Sequence, residues 1–282
     1  MSYYELTITI ADALKDRLIQ NLMHSGCLGV YEQDEAIVAY FPESADIRII
    51  INDLSVLKTL LEKSDLPYRV EFSWKLIPDQ DWNESWKKSF QPIDVGDRFT
   101  ILPPWGEIRG RRIHLIIEPA MAFGTGHHGT TRSCLVLMEK YSAESKKELF
   151  LDIGTGTGIL AIAAHKLGYR RVIGVDTDPL AVDAARQNAV LNNVIGVEIQ
   201  EGSIANLDEA SDVIVANLIT DALVRIAPLL ASRLKPGGIA ILSGMLSGQE
   251  DEVIAAIQQA GMTLVERYPD GKWISLVVSR LL

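Results

Sequence analysis

Hydrophobic residues in 1–76 recur with two different spacings, which alternate from one segment to the next. Strands are expected where apolar residues recur at every second position, and helices where they recur at every third or fourth. The segment therefore predicts a strand, a helix, two paired strands, a helix and a strand, in residues 3–10, 11–25, 28–32, 36–41, 53–63 and 68–74. The order βαββαβ is that of the ferredoxin-like fold, an antiparallel sheet with two helices on one face. We expect this small N-terminal α+β domain to recognise or dock a partner, because its residues form no catalytic cluster.

A short segment after this domain carries aromatic residues between prolines. Trp82 and Trp86 are four positions apart, between Pro78 and Pro92, so both rings fall on one face of a short helix. We interpret residues 77–95 as a helical linker. The two rings either form a core between two domains or stack on a substrate.

The last part of the chain, residues 96–282, has a different hydrophobic pattern. Near-continuous apolar runs alternate with longer amphipathic segments, and these runs lie at residues 148–153, 170–176, 197–200, 211–217 and 237–244. Strands that are buried on both faces have this pattern, which predicts an α/β domain with a mostly parallel, doubly wound sheet of the Rossmann-like type. Residues 262–268 and 272–280 flank a turn, and predict an antiparallel hairpin at one edge of the sheet.

Composition and charge narrow the classes of partner. The 282 residues contain 27 Lys and Arg against 37 Asp and Glu, a net charge of -10, which disfavours direct binding to nucleic acid through a basic face. A cationic protein fits this charge better. The chain lacks a basic segment followed by an apolar core at its start, and no stretch approaches the ~18 apolar residues of a membrane span. Cys27 and Cys134 are far apart in sequence and predict neither a disulfide framework nor a metal cluster, so we expect a reducing cytoplasm. We also expect a monomer.

A glycine-rich turn is the strongest single motif. Residues 151–158 read LDIGTGTG, at the end of one predicted strand and the start of a helix. Glycines allow positive φ and let a ligand approach the backbone amides at a helix N-terminus, so Gly154 and Gly156 are expected to contact a nucleotide-like ligand. The third small position of the dinucleotide fingerprint would fall on Ile159, which argues against a nicotinamide or flavin dinucleotide.

Polar residues end the neighbouring predicted strands. Asp176 ends the next strand, ~20 residues after the glycine turn, where an acidic residue accepts hydrogen bonds from ribose hydroxyls. Asp178 and Pro179 are expected to be the N-cap and first residue of the following helix. Asn217 ends the strand at 211–217 and can orient a cofactor or a nucleophile. Alternatively, Asn217 caps the helix that begins near Thr220.

A loop rich in small residues precedes the glycine turn. Residues 117–132 read IEPAMAFGTGHHGTTR and lead into an amphipathic helix predicted at 131–141. Such a loop is suited to folding over a bound ligand. His127 and His128 are adjacent and have no third ligand nearby, so we expect hydrogen bonding or capping and no metal site.

Together, the motifs LDIGTGTG, GVD and VANL resemble those of class I S-adenosylmethionine-dependent methyltransferases. The segments DWNESWKKSFQP and IEPAMAFGTGHHGTTR resemble the bacterial methyltransferases of ribosomal protein eleven of the large subunit, the PrmA type. The resemblance implies that the N-terminal domain grips that ribosomal protein, that the linker lets the domains reorient, and that the catalytic domain methylates several amines with S-adenosyl-L-methionine, releasing S-adenosyl-L-homocysteine.

The resemblance also implies cofactor contacts, at Phe123, Gly124, Thr125, Thr131, Gly154, Gly156, Asp176 and Asn217. Two positions depart from the relatives. Gly129 stands where many members have proline, and the motif after Val215 is ANLIT in place of the NPPY type of glutamine and adenine methyltransferases. The second departure favours lysine side-chain or N-terminal amines as methyl acceptors.

The methyl acceptor must lose a proton before it can react. A lysine with a pKa of ~10.4 costs about 4.6 kcal/mol to deprotonate at pH 7, and an α-amine near 7.8 costs about 1 kcal/mol. We expect the site to position and desolvate the amine, with Asn217 as the orienting group. His127 or His128 as proton acceptor is the alternative.

Other functions for the whole chain are also consistent with the sequence. The same scaffold could methylate another protein lysine or a small molecule, or could bind S-adenosylmethionine as a sensor without catalysis. A nucleic-acid methyltransferase is disfavoured by the net charge.

Overall fold

The computed structural model describes residues 2–32, 36–64, 68–77, 90–119, 128–143 and 145–281. These residues divide into two compact units, one within Met1–Gln91 and Pro119–Met121, the other within Pro92–Glu118 and Ala122–Leu282. Residues 78–89 of the expected linker, with Trp82 and Trp86, lie outside the described residues. The boundaries 1–76, 77–95 and 96–282 stay a prediction.

The first unit contains one four-stranded sheet and two helices. In chain order its elements are β1 Tyr3–Ile10, α1 Asp12–His24, β2 Gly29–Glu32, β3 Ala36–Pro42, α2 Ile47–Glu62 and β4 Val70–Ile77. The strand order is β2-β3-β1-β4 and every pairing is antiparallel. Both helices pack on the same core, in which Leu6, Ile8 and Phe41 of the sheet meet Leu22 of α1 and Leu54 of α2.

Helix α2 differs from its prediction. It begins at Ile47 and not at residue 53, and the Asp46 carboxylate caps it by accepting the backbone N–H of Arg48 at 3.2 Å. The early turn was missed because residues 49–51 are three consecutive isoleucines, which hide a helical period and have high strand propensity. Burial of Ile47, Ile50 and Leu54 on one face stabilises the helix instead.

The second unit opens with a small sheet that hydrophobic patterning did not predict. Its strands are β5 Ile93–Val95, β6 Phe99–Leu102 and β7 Ile113–Ile116. Strand β6 pairs antiparallel with β5 and parallel with β7. Strands of three or four residues are too short to show a period, so this sheet could only be found from its pairings.

The remaining strands of the second unit form a seven-stranded sheet. They are β8 Leu149–Ile153, β9 Arg171–Asp176, β10 Val197–Glu201, β11 Ser211–Asn217, β12 Leu234–Leu246, β13 Met262–Asp270 and β14 Trp273–Arg280. The order is β10-β9-β8-β11-β12-β14-β13, parallel through β12 and antiparallel at β14 and β13. The expected mostly parallel sheet with a C-terminal antiparallel hairpin at one edge is confirmed.

Helices cover both faces of this sheet. They are α3 Gly129–Ser142, α4 Ile159–Lys166, α5 Pro179–Leu191, α6 Thr220–Arg233 and α7 Glu250–Gln259, with a short 3-10 helix at Ile204–Asn206. Phe150 packs in the core with α3, α4 and α5, whereas its neighbour Leu151 packs in the core with α6 and α7. Adjacent strand residues thus bury both faces, which explains the continuous apolar runs. Among the described helices, none combines the length and apolarity needed to span a bilayer.

Candidate functional site

A cavity of about 400 Å³ lies at the carboxyl edge of the seven-stranded sheet. Strand order reverses between β8 and β11, and ligands of doubly wound sheets bind at such a switch point. The cavity is lined by Thr131, Ile153, Gly154, Thr155, Gly156, Ile159, Leu160, Asp176, Thr177, Gly202, Ser203, Ile204, Asn217, Leu218, Ala222, Arg225 and Ile226. The structure therefore brings together five predicted site residues, which are Thr131, Gly154, Gly156, Asp176 and Asn217. Phe123, Gly124 and Thr125 lie outside the described residues.

The glycine turn between β8 and α4 adopts backbone angles that favour glycine. Gly154, Gly156 and Gly158 have φ of +72°, +54° and +79°. A Cβ on Gly154 would lie 2.5 Å from Cδ2 of Leu218. The N–H groups of Gly154 and Thr155 both donate to the carbonyl of Val175, at 2.9 and 3.0 Å, and tie the turn to β9. The positive φ favours glycine at 154, and any Cβ there would also force the end of the Leu218 side chain to move.

A buried carboxylate supports the turn from below. Oδ2 of Asp152 accepts the Thr155 hydroxyl at 2.7 Å and the Ala161 N–H at 3.1 Å, while Oδ1 has no hydrogen-bond partner among the described residues. Complete burial raises the pKa of Asp152 to about 7, although the two donors lower it, and the Asp176 charge adds to the rise. Sequence reasoning assigned Asp152 no role, because a carboxylate at the end of a buried strand shows its surroundings only in the folded structure.

Asp176 braces the glycine turn from the side. Its Oδ2 accepts the N–H of Gly156 at 2.9 Å, and its Oδ1 accepts the N–H of Asp178 at 3.0 Å. A carboxylate oxygen accepts two hydrogen bonds, so each oxygen of Asp176, which lines the cavity, keeps one further acceptor position. The Gly156 N–H is thus occupied by Asp176. Asp178 caps α5 by accepting the Leu180 N–H at 2.9 Å, with Pro179 in the first turn, and its predicted capping role is confirmed.

Asn217 projects from the end of β11 toward α3. Its Nδ2 donates to the hydroxyl of Thr131, which is buried in the first turn of α3, at 3.4 Å. Ile219, not Asn217, is the N-cap residue of α6, and α6 has no side-chain cap. The alternative that Asn217 caps this helix is therefore wrong, because β11 carries Asn217 two residues too early.

His128 forms a hydrogen bond at the start of α3. Hydrogen bonding was one of the two roles expected for it, the other being helix capping. Its Nδ1 lies 2.7 Å from the Thr130 hydroxyl, and its ring packs edge-on against Trp273 with centroids 4.6 Å apart. It is the N-cap residue of α3 but makes no side-chain cap bond. A Cβ on Gly129 would lie 3.1 Å from Cδ1 of Trp273, so glycine here permits close packing of the indole. His127 lies outside the described residues.

Sequence reasoning missed one wall of the cavity. Gly202, with φ of +143°, directly follows β10, and Ser203 forms a capping box with Asn206. Leu160 and Ile226 add apolar surface from α4 and α6. The segment Glu201-Gly202-Ser203 after the third strand was a detectable turn signal, but the apolar residues of α4 and α6 could not be separated from core positions by period alone.

Comparisons with known proteins agree on one family. Residues 2–281 match the family described as ribosomal protein L11 methyltransferase (PrmA). The ribosomal protein L11 methyltransferase of Heliobacterium modesticaldum is 35% identical over 99% of this chain and 98% of its own length. That of Myxococcus xanthus is 31% identical over 99% of each chain. The crystal structure of a ribosomal protein L11 methylase from Lactobacillus delbrueckii subsp. bulgaricus is similar, with a TM-score of 0.63 and 30% identity, over 68% of this chain and 99% of that one.

Proposed function

Because the chain belongs to the ribosomal protein L11 methyltransferase (PrmA) family, we propose that it transfers methyl groups from S-adenosyl-L-methionine to lysine side-chain and N-terminal amines of ribosomal protein L11. The observation that carries the proposal is the meeting of Thr131, Gly154, Asp176 and Asn217, from four separate elements, in one cavity. We expect the protein to act in the cytoplasm as a monomer.

The chemistry of the cavity fits an adenosylated cofactor. Its volume, about 400 Å³, lies in the ~300–1,000 Å³ range of small-molecule sites. The remaining acceptor positions of Asp176 suit the two ribose hydroxyls, and the apolar side chains of Leu160, Ile204 and Ile226 suit a flat base. Gly154 and Leu218 both line the cavity, and glycine at 154 keeps the turn free of a side chain that would contact Leu218.

When bound, S-adenosyl-L-methionine supplies an electrophilic methyl group on a sulfonium. The chain must hold a neutral amine in line with that group. Since Nδ2 of Asn217 is bonded to Thr131, the carbonyl oxygen of Asn217 is the atom left to accept an N–H of the incoming amine. Such a bond would aim the nitrogen lone pair without removing a proton, which makes Asn217 the orienting catalytic residue of the proposal.

Deprotonation of the acceptor depends on desolvation in this proposal. Burial beside a cationic sulfur disfavours an ammonium and lowers the pKa of a lysine that enters the cavity. The apolar lining from Leu218 and Ile153 supports such a shift. The net charge of -10 supports a cationic protein partner, and we assign its recognition to the first unit.

The decisive experiment is mass spectrometry of ribosomal proteins from a strain that lacks the enzyme, incubated with the purified chain and isotope-labelled S-adenosyl-L-methionine. We expect label on lysine and N-terminal amines of L11 and none with the Asn217→Ala variant. Label on a different protein or on a small molecule would instead support another methyltransferase on this scaffold. Cofactor binding without transfer to any component would support a sensor.

A further inference from the structure

Two buried asparagines lie one turn apart at the end of α5, one inside the helix and one at its C-cap. Asn188 and Asn192 are 1% and 7% exposed. Oδ1 of Asn188 accepts the N–H of Glu118 at 2.9 Å, and Nδ2 donates to the carbonyl of Thr157 at 2.8 Å. Asn192 pairs with both backbone groups of Ile116, at 3.0 and 2.6 Å. Two side-chain amides thus extend the backbone bonding of β7 beyond its end.

Asn188 differs from Asn192 in what it joins. Its Oδ1 accepts a bond from the backbone of Glu118, just after β7. Its Nδ2 donates a bond to Thr157, which is part of the glycine turn that lines the cavity. These partners are 70 and 31 positions away in sequence. Helix α5 also touches the turn directly, since a Cβ on Gly158 would lie 3.0 Å from Cβ of Ala185. The face of α5 that carries Ala185 and Asn188 therefore sets the position of the turn.

We propose that Asn188 is a positioning residue of the cofactor site, whose amide holds the glycine turn at a set distance from residues 116–118. The proposal rests on the proposed function, because it assigns the turn to cofactor binding. An amide fits these partners because the Glu118 N–H is a donor and the Thr157 carbonyl is an acceptor, and one amide supplies both complementary groups. Loss of the buried bond to Thr157 removes one of the contacts that hold the turn against α5 and lets the turn shift.

The test uses the Asn188→Asp variant and S-adenosyl-L-homocysteine as the probe. A protonated carboxylic acid can donate to Thr157 and accept from Glu118, as the amide does, whereas an ionised one has no proton for Thr157. Burial raises the pKa of such an acid, so protonation is favoured at low pH. We expect the ratio of variant to wild-type Kd to rise about tenfold between pH 5.5 and pH 8.5, measured by calorimetry on folded protein.

Two further variants complete the test. Asn193→Asp is the matched control, because Asn193 is exposed and in the left-handed region that Asp also tolerates. Its Kd ratio should stay near one at both pH values. Asn188→Ala should bind the probe about tenfold more weakly than wild type at both pH values.

Different results would overturn the positioning role of Asn188 and the proposed methyltransferase function. A flat Kd ratio for Asn188→Asp would overturn the positioning role, and so would wild-type affinity in a folded Asn188→Ala variant. If Asn188→Asp unfolds at high pH, the affinity of the folded Asn188→Ala variant tests the positioning role by itself. A purely structural role would lower the melting temperature and leave the affinity of the folded protein unchanged. Absence of probe binding by the wild type would overturn the proposed function itself.

Discussion

The side-chain amide of Asn217 donates to the hydroxyl of Thr131 and joins the end of β11 to the first turn of α3. This bond sets which end of the Asn217 amide faces the cavity. The buried threonine therefore matters to the orientation of the methyl acceptor, although its own hydroxyl is used within the protein.

Replacing Thr131 by valine keeps the shape of the side chain and removes the acceptor. We expect kcat to fall about five- to tenfold, which corresponds to one hydrogen bond, because the Asn217 amide can then rotate. The KM for S-adenosyl-L-methionine should change less than kcat. Steady-state kinetics on L11 measure both, with Thr220→Val as a matched control on α6. Equal kcat in Thr131→Val and wild type would contradict the orienting role of Asn217.

Substitution of Asp176 by alanine should weaken cofactor binding. The loss of a charged acceptor for the ribose hydroxyls predicts a change of ~1.5–3 kcal/mol in the binding free energy of S-adenosyl-L-homocysteine. The brace on Gly156 is lost as well. Calorimetry measures the effect, and Asp183→Ala, an exposed position on α5, is the control. Unchanged affinity would remove Asp176 as the ribose ligand.

Gly154→Ala should destabilise the fold and weaken cofactor binding together. The substitution forces a positive φ on alanine and places its Cβ 2.5 Å from Leu218. We expect a loss of about 1–3 kcal/mol in the free energy of unfolding, measured with denaturant. Gly168→Ala, where φ is +96° and the nearest atom to a Cβ is Cδ of Lys147 at 3.9 Å, an ordinary van der Waals contact, separates the cost of the positive φ from the cost of the clash. If the double variant Gly154→Ala, Leu218→Ala loses as much unfolding free energy as the two single variants lose together, the clash with Leu218 is not the cause.

The raised pKa of Asp152, about 7, makes stability depend on pH with a defined sign. The folded state holds the proton more tightly than the unfolded chain, whose carboxyl has an ordinary pKa near 3.8. Stability from this group is full at low pH and is lost as pH rises through about 7. Between pH 5 and pH 8 we expect wild type to lose on the order of 2–3 kcal/mol more unfolding free energy than Asp152→Asn. Parallel pH profiles for the two proteins would show that Asp152 does not titrate in this range.

The central sheet and one cap were predictable from local pattern. Continuous apolar runs located the strands from β8 to β12, because burial on both faces leaves no polar alternation. The cap at Asp178 followed from Pro179 beside it. The start of α2 and the sheet of β5, β6 and β7 were not predictable, since consecutive isoleucines and very short strands carry no readable period.

The amino-acid sequence by itself determined the buried strands from β8 to β12 and the glycine turn after β8, because hydrophobic period and backbone sterics act over a few neighbouring positions. Only the tertiary structure decided which polar groups meet. Asn188 and Glu118 are 70 positions apart and Asn217 and Thr131 are 86 apart, so each bond depends on how separate elements pack. The sequence around a buried amide or carboxylate does not show which group it bonds to. That partner, which defines the role of the residue, is known only from the folded structure.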